Sequence, residues 1–195
     1  DGKVTSCQYM VDAVSNLFYG MPINGYVALN MNAVAMINDA VGGVTVTVPE
    51  DMTQVDPSFA EGATVTLTGD QALKFTRYRD TEKDFSNNSR MERQKQYLVN
   101  FMGQAVKAMK ADMGLPVSLY QSLTDDMVTN LSLDRSVYLA TEAMDMHFTA
   151  DGIVSLKAKS KKGSVYDEVY VDDDALYDLI IQTFYTEEQS EGESK

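Results

Sequence analysis

The sequence predicts an α/β fold in the α+β sense, a layered mixed β-sheet with helices packed on it. Short stretches at 45–48, 64–68 and 164–171 alternate apolar and polar residues with the period of a half-buried strand. Stretches at 5–19, 89–110 and 172–184 instead space their apolar residues three and four apart, as a helix with one buried face does. Glycine or proline stands at most of the boundaries between them. With 195 residues, 44% of them hydrophobic, the chain is long enough to bury one sizeable core. No linker divides it. Residues 1–186 therefore read as one domain and the acidic residues 187–195 as a solvated tail.

The first helix is expected over 5–19, capped by Thr5 or Ser6 and closed by Gly20 and Pro22, with Met10, Val11, Val14, Leu17 and Phe18 inward. A short strand follows at 25–30. Asn32 is placed as the cap of a helix that turns Val34, Ile37 and Val41 inward and ends at Gly42-Gly43. A strand at 45–48 stops at Pro49, and residues 50–61 form a loop. After the strand at 64–68, Gly69 leads into a short helix to about Thr76. Residues 86–89, Ser-Asn-Asn-Ser, read as breakers. Asn88 or Ser89 caps a long helix to Lys110 whose stripe is Leu98, Phe101, Met102 and Ala105. Pro116 opens another helix, and Asp134 caps one that runs to about Met146. Strands at 153–157 and 164–171 are joined by a basic turn at 159–163. Asp172, Asp173 and Asp174 then cap a last helix carrying Leu176, Leu179, Ile180 and Phe184.

Composition excludes several functions. A net charge of −13 without a DNA-binding motif argues against nucleic acid as the partner. Cys7 is the only cysteine, so no intrachain disulfide forms. His147 is the only histidine, which leaves no zinc site at a familiar spacing and makes it the one histidine a nucleophile system could use. The triplet Asp172–Asp174 suits a helix cap or a divalent ion. No stretch approaches the roughly 20 apolar residues of a membrane span, and the opening Asp1-Gly2-Lys3 is not a signal peptide.

The informative stretch is residues 62–94, which hold four of the five arginines: Arg77, Arg79, Arg90 and Arg93. Two readings suit this gathering. The arginines form surface ion pairs with Asp80, Glu82, Asp84 and Glu92, or they form an anion site, since guanidinium forks suit phosphate oxygens.

The order of residues Leu67, Gly69, Ala72, Leu73, Phe75, Arg77, Arg79, Asp84, Arg90, Arg93 and Gln94 resembles the LytR-CpsA-Psr family of cell-envelope proteins. The run from Asp39 to Val44, Asp-Ala-Val-Gly-Gly-Val, is similar to a second signature of that family. The resemblance implies an enzyme that transfers a glycopolymer of teichoic acid or capsular polysaccharide type from a polyprenyl pyrophosphate lipid onto peptidoglycan, at the outer face of the membrane. It implies Arg77, Arg79 and Arg90 as clamps on phosphate oxygens and Gln94 as a further donor. Arg93 is either a substrate contact or structural. Asp80 or Asp84 orients an arginine or acts as a base. Leu98, Phe101 and Met102 line a channel for the lipid, or simply form the core face of their helix.

The family's Gly-x-Asp strand, its Ser-Asp pair and its Ser-x-Pro-Arg-Asp motif do not occur here. The resemblance therefore implies Mg2+ without supplying its ligands. It also implies a chain short of its N-terminal strands and membrane anchor, inactive alone, with sheet edges open to homo-oligomerisation or strand exchange. A non-catalytic module that binds lipid pyrophosphate or glycopolymer is the alternative. A transcription regulator is a third reading, opposed by the charge.

Overall fold

The computed structural model describes residues 2–80, 86–164 and 167–185, with side chains beginning at 88 in the second stretch and 168 in the third. The tail at 187–195, Glu82, Asp84 and the strand positions 165 and 166 lie outside the described residues. Two compact units contain the rest: Asp1–Cys7 with Asn24–Ile153, and Gln8–Ile23 with Val154–Lys195. The α+β class stands, and its strands form three antiparallel pairs.

Helix α1 (Gly2–Leu17) begins before the expected caps, so Thr5 and Ser6 lie inside it, and the Ser6 hydroxyl bonds back to the Gly2 carbonyl at 2.9 Å. Past Leu17 the chain leaves the helix through Tyr19 (φ 55°) and Gly20 (φ 82°). Met10 and Leu17 are 66% and 40% exposed, so the inward face is narrower than the spacing suggested.

In the first unit β1 (Val27–Leu29) leads to α2 (Met31–Ala40). Asn30, not Asn32, caps α2, accepting from the Ala33 N–H at 3.1 Å. Gly42 and Gly43 (φ 84° and 87°) turn the chain into β2 (Val44–Thr47), which pairs with β3 (Thr64–Leu67) in the register Val44 opposite Leu67. A side chain at Gly43 would stand 2.9 Å from the Leu67 carbonyl as well as in the left-handed region. The alternation of β2 sends Val44 and Val46 into a core with Val48, Met52, Phe59, Leu67 and Phe75. Burying each such side chain contributes about 1.5–3 kcal/mol.

Helix α3 (Gly69–Arg77) packs against α2 at Gly69, where a Cβ would sit 2.7 Å from the Ala35 carbonyl. Helix α4 (Ser86–Ala111) starts earlier than expected, so Asn88 and Ser89 lie within it rather than at its cap. Three amides spaced four apart on α4 hold the outer edge of β2 and the end of α2. Gln96 accepts from the Thr47 N–H at 3.1 Å, Asn100 donates to the Thr45 carbonyl at 2.8 Å, and Gln104 donates to the Val41 carbonyl at 2.8 Å.

Helix α5 (Leu115–Ser122) has its proline at the start, as expected. Strand β4 (Met127–Thr129) was not foreseen. It pairs with β1, and Asn30 clasps Asp126 at the end of the pair through both backbone and side chain. Three residues are too few to show a period. Helix α6 (Leu133–Ala143) is capped by Ser132 instead of Asp134 and ends before Met146. A 3-10 turn at Ala150–Gly152 completes this unit.

In the second unit β5 (Ala158–Lys162) pairs with β6 (Asp167–Val171), and α7 (Asp173–Phe184) follows. The residues expected to form a basic turn are the strand itself, and the strand expected at 153–157 is not formed. Pairing with β6 decides this, since cross-strand partners outweigh the weak strand preference of lysine. Asp172 caps α7 as expected, accepting from the Ala175 N–H at 3.1 Å. Leu176 and Ile180 are buried, whereas Phe184 is 60% exposed. No helix among the described residues is long and apolar enough to cross a membrane.

Candidate functional site

The arginine-bearing stretch is built on α3. A capping box opens that helix: the Thr68 N–H donates to Gln71 Oε1 at 3.0 Å, and the Thr68 side chain accepts from the Gln71 N–H. The Gln71 amide also donates to Ser58 Oγ at 3.1 Å and Asp56 Oδ1 at 3.4 Å, tying the 50–61 loop to the helix start. The Ser58 hydroxyl donates to Asp56 at 2.7 Å and is the main reason that the Asp56 carboxyl titrates below its ordinary range. Phe75 is fully buried, edge-on to Phe59 at 5.9 Å between ring centres.

The last turn of a helix leaves carbonyls without partners, and cations or amides nearby satisfy them. Here α4 does this for α3. Arg93, only 1% exposed, donates from Nε to the Phe75 carbonyl at 3.1 Å and from its other nitrogens to the Tyr78 carbonyl and Glu50. Its guanidinium carbon stands 5.7 Å from the centre of the Tyr78 ring. Burial disfavours the Arg93 charge, Glu50 restores it, and Arg90 one turn earlier opposes it. The Gln94 amide donates to the Thr76 carbonyl at 3.0 Å. Arg93 and Gln94 together bind three carbonyls in the four residues from Phe75 to Tyr78.

This clasp sets the place of the other arginines. Arg77 is the last residue of α3 and is exposed; Arg79 follows two residues on and is exposed as well. Arg90 is half-buried on the turn of α4 that precedes Arg93. The ends that carry all three are fastened to each other. Of the acidic partners considered from sequence, Glu82 and Asp84 lie outside the described residues. Glu50, the carboxylate that Arg93 binds, stands 43 positions upstream, and nothing in its local sequence marks it.

A second polar node locks the same region. Asn38 is fully buried, donates to the Leu67 carbonyl at 2.7 Å and accepts from the Tyr97 hydroxyl at 3.2 Å. It joins α2, β3 and α4. Burial first, and Asp39 second, push the Tyr97 hydroxyl up to about 12.

The apolar stripe on α4 divides between two clefts. Phe101 and Ala105 line one of about 230 Å³, whose other walls are β1, β4, α5 and α6. Leu98 and Met102 line another of about 330 Å³ with His147, Phe148 and Ile153. Phe101 also stacks on Tyr97, their ring centres 6.1 Å apart. Among the described residues no three acidic, histidine or cysteine side chains converge as a metal-ligand set, so these residues do not fit a Mg2+ ion by themselves. Of Asp172–Asp174, Asp172 caps α7 and the other two lie in its first turn.

Comparison with known proteins identifies what the chain is similar to. A polyisoprenyl-teichoic acid–peptidoglycan teichoic acid transferase TagU of Halalkalibacterium halodurans is 31% identical over 129 residues, 65% of this chain and 40% of that protein. A TagU protein of Bacillus cereus (strain AH820) is 48% identical over 75 residues, 37% of this chain and 24% of that protein. The aligned stretches thus span well under half of these curated relatives. The solved structure of the Lin1025 protein from Listeria innocua, 27% identical, matches with a TM-score of 0.64 over 88% of this chain and 73% of that one. The model of the LytR_cpsA_psr family matches residues 4–181. Nearly the whole chain is covered by that match, and the chain belongs to the LytR-CpsA-Psr family.

Proposed function

We propose that this chain forms a pyrophosphate-gripping corner used in cell-wall assembly. The reaction moves a teichoic-acid-type or capsular glycopolymer from polyprenyl pyrophosphate to peptidoglycan at the outer face of the membrane. The observation that carries this reading is the clasp of Arg93 and Gln94 on the end of α3, which holds the arginine-bearing ends of α3 and α4 together. The names of the TagU relatives supply the substrate class.

In the transfer, an acceptor hydroxyl oxygen forms a bond to the polymer-side phosphorus while the bridging P–O bond breaks. Polyprenyl phosphate leaves with the electrons of that bond, and the hydroxyl proton passes to a base, for which Asp80 is the carboxylate nearest in sequence. Charge grows on the phosphate oxygens, where fixed guanidinium groups stabilise it most. Arg77, Arg79 and Arg90 take this role. Arg93 and Gln94 act as positioning residues, because their donors are engaged by protein carbonyls and Glu50. The polyprenyl chain lies along α4 in the cleft of Phe101, which begins about 16 Å from Arg90 at 1.5 Å per residue. Leu98 and Met102 line the other cleft on α4, beside His147 and Ile153.

The test is binding of farnesyl pyrophosphate to the chain and to an R77A/R79A variant, followed by calorimetry. Charge-assisted hydrogen bonds are worth about 1.5–3 kcal/mol each, so the variant should bind about 100-fold more weakly at least. Far-UV dichroism should be unchanged. Equal affinity in the folded variant overturns the proposal.

A further inference from the structure

The second unit carries a charge feature that the transfer reaction leaves unused. Four of the chain's eleven lysines fall within six residues, Lys157, Lys159, Lys161 and Lys162, in a protein of net charge −13. All four are exposed, and three lie on β5 itself. Residues two apart on a strand share a face, and directly opposed residues of an antiparallel pair share it too. One face of the hairpin therefore presents Lys159, Lys161, Tyr170 and Glu168, because Lys159 stands opposite Tyr170 and Lys161 opposite Glu168. Ala158, Ser160, Val169 and Val171 fall on the other face.

The Tyr170 hydroxyl donates to Glu168 Oε2 at 2.7 Å, which fixes the ring while leaving the residue 55% exposed. The ladder continues one step beyond β5, where the Asp172 N–H donates to the Lys157 carbonyl at 2.8 Å, so Lys157 extends the row. Lys157, Lys159 and Lys161 thus follow a line, with attachment points about 6.8 Å apart along the strand, whereas Lys162, opposite Asp167, stands on the other face. A line of regularly spaced cations beside a fixed aromatic ring matches a linear polyanion that carries a phosphate in each repeat and sugar or polyol between. An anionic lipid surface would call for apolar groups on the lysine face, but Val169 and Val171 are on the opposite one.

We infer that the Lys159–Lys161 face of the β5–β6 hairpin docks the phosphodiester backbone of the glycopolymer. This rests on the proposed transfer reaction for the identity of the polymer, and it uses residues distinct from the arginine corner. Lys159 and Lys161 contact successive phosphates, and Tyr170 offers its ring to the unit between them.

A fluorescent poly(glycerol phosphate) oligomer, free of lipid and pyrophosphate, is the probe. Its binding to the chain is measured by anisotropy across a salt series. The K159A/K161A variant should bind at least tenfold more weakly, with a salt dependence shallower by about 1.4 in log–log slope at about 0.7 per phosphate contact. The K159R/K161R variant should restore binding. K159A/K161A should bind farnesyl pyrophosphate as the unaltered chain does, so failure of the hairpin and failure of the arginine corner are read separately. Undiminished oligomer binding by K159A/K161A overturns the inference. So does lysine-dependent binding to phosphatidylglycerol vesicles as tight as that to the oligomer.

Discussion

Replacing Arg93 with methionine tests the clasp directly. Methionine keeps most of the aliphatic length, so the cavity left is small and the loss is mainly polar. Arg93 is 1% exposed and satisfies the Phe75 and Tyr78 carbonyls as well as Glu50. The Glu50 side chain is 33% exposed, so its carboxylate regains water when the partner disappears and adds little to the penalty. The two carbonyls do not recover as easily, and an unsatisfied buried acceptor costs about 1–3 kcal/mol. Together they set an expected loss of about 2–6 kcal/mol, a range that includes the cost of breaking a buried pair from one side. Urea titrations followed by dichroism at 222 nm give the total. The chain has two compact units, so hydrogen exchange at the amides of α3 is needed to place the loss there. R93K should recover only part, because an ammonium cannot reproduce the fork. A loss under about 0.5 kcal/mol for R93M, the level of an ordinary surface change, would refute the reasoning.

Two more perturbations probe the scaffold under the site. G69A places a Cβ 2.7 Å from the Ala35 carbonyl and 2.7 Å from Asp39 Oδ2, so α2 and α3 must separate, with an expected loss of about 1–3 kcal/mol in the same urea assay. Y97F tests the buried hydroxyl by its pH dependence. Tyr97 titrates near 12 when folded against 10.0 as its ordinary value, so the folded state keeps the proton longer than the unfolded one. Its contribution is whole below pH 10 and declines as pH rises toward 12, by at most about 3 kcal/mol at 1.36 per pH unit. At pH 8 the variant should be weaker by about 1 kcal/mol for the lost bond to Asn38. Measured from pH 8 to 11, that gap should close. A gap that widens with pH would contradict the assigned burial.

The parts of the fold that were legible share one property: their signal lies within a few residues. The alternation of 44–47, the glycine pair after α2, the helix at Gly69 and the Asp172 cap all show themselves locally. The failures share the opposite property. Asn88 and Ser89 look like helix stops, yet α4 runs through them because Arg93 and Gln94 anchor the helix to α3 eighteen residues away in sequence. The lysines of β5 look like a turn until β6 pairs with them. For the arginines, sequence located the group but could not divide it, since the division depends on Glu50 and on the carbonyls of α3.

That division follows from helix geometry. On an α-helix successive residues turn by about 100°, so Arg90 lies about 60° from Arg93 and about 40° from Gln94 around the axis. Arg93 and Gln94 both reach the end of α3, which fixes that side of α4 toward Phe75, Thr76 and Tyr78. Arg90 is consequently carried on the α3-facing side one turn earlier. Moving Arg90 by one position would swing it about 100° away and leave the clasp intact. The Arg-x-x-Arg-Gln spacing is therefore what couples an anchor to a charge. Arg93 and Gln94 hold the helices together, and the spacing keeps Arg90 one turn before them on the side of α4 that faces α3.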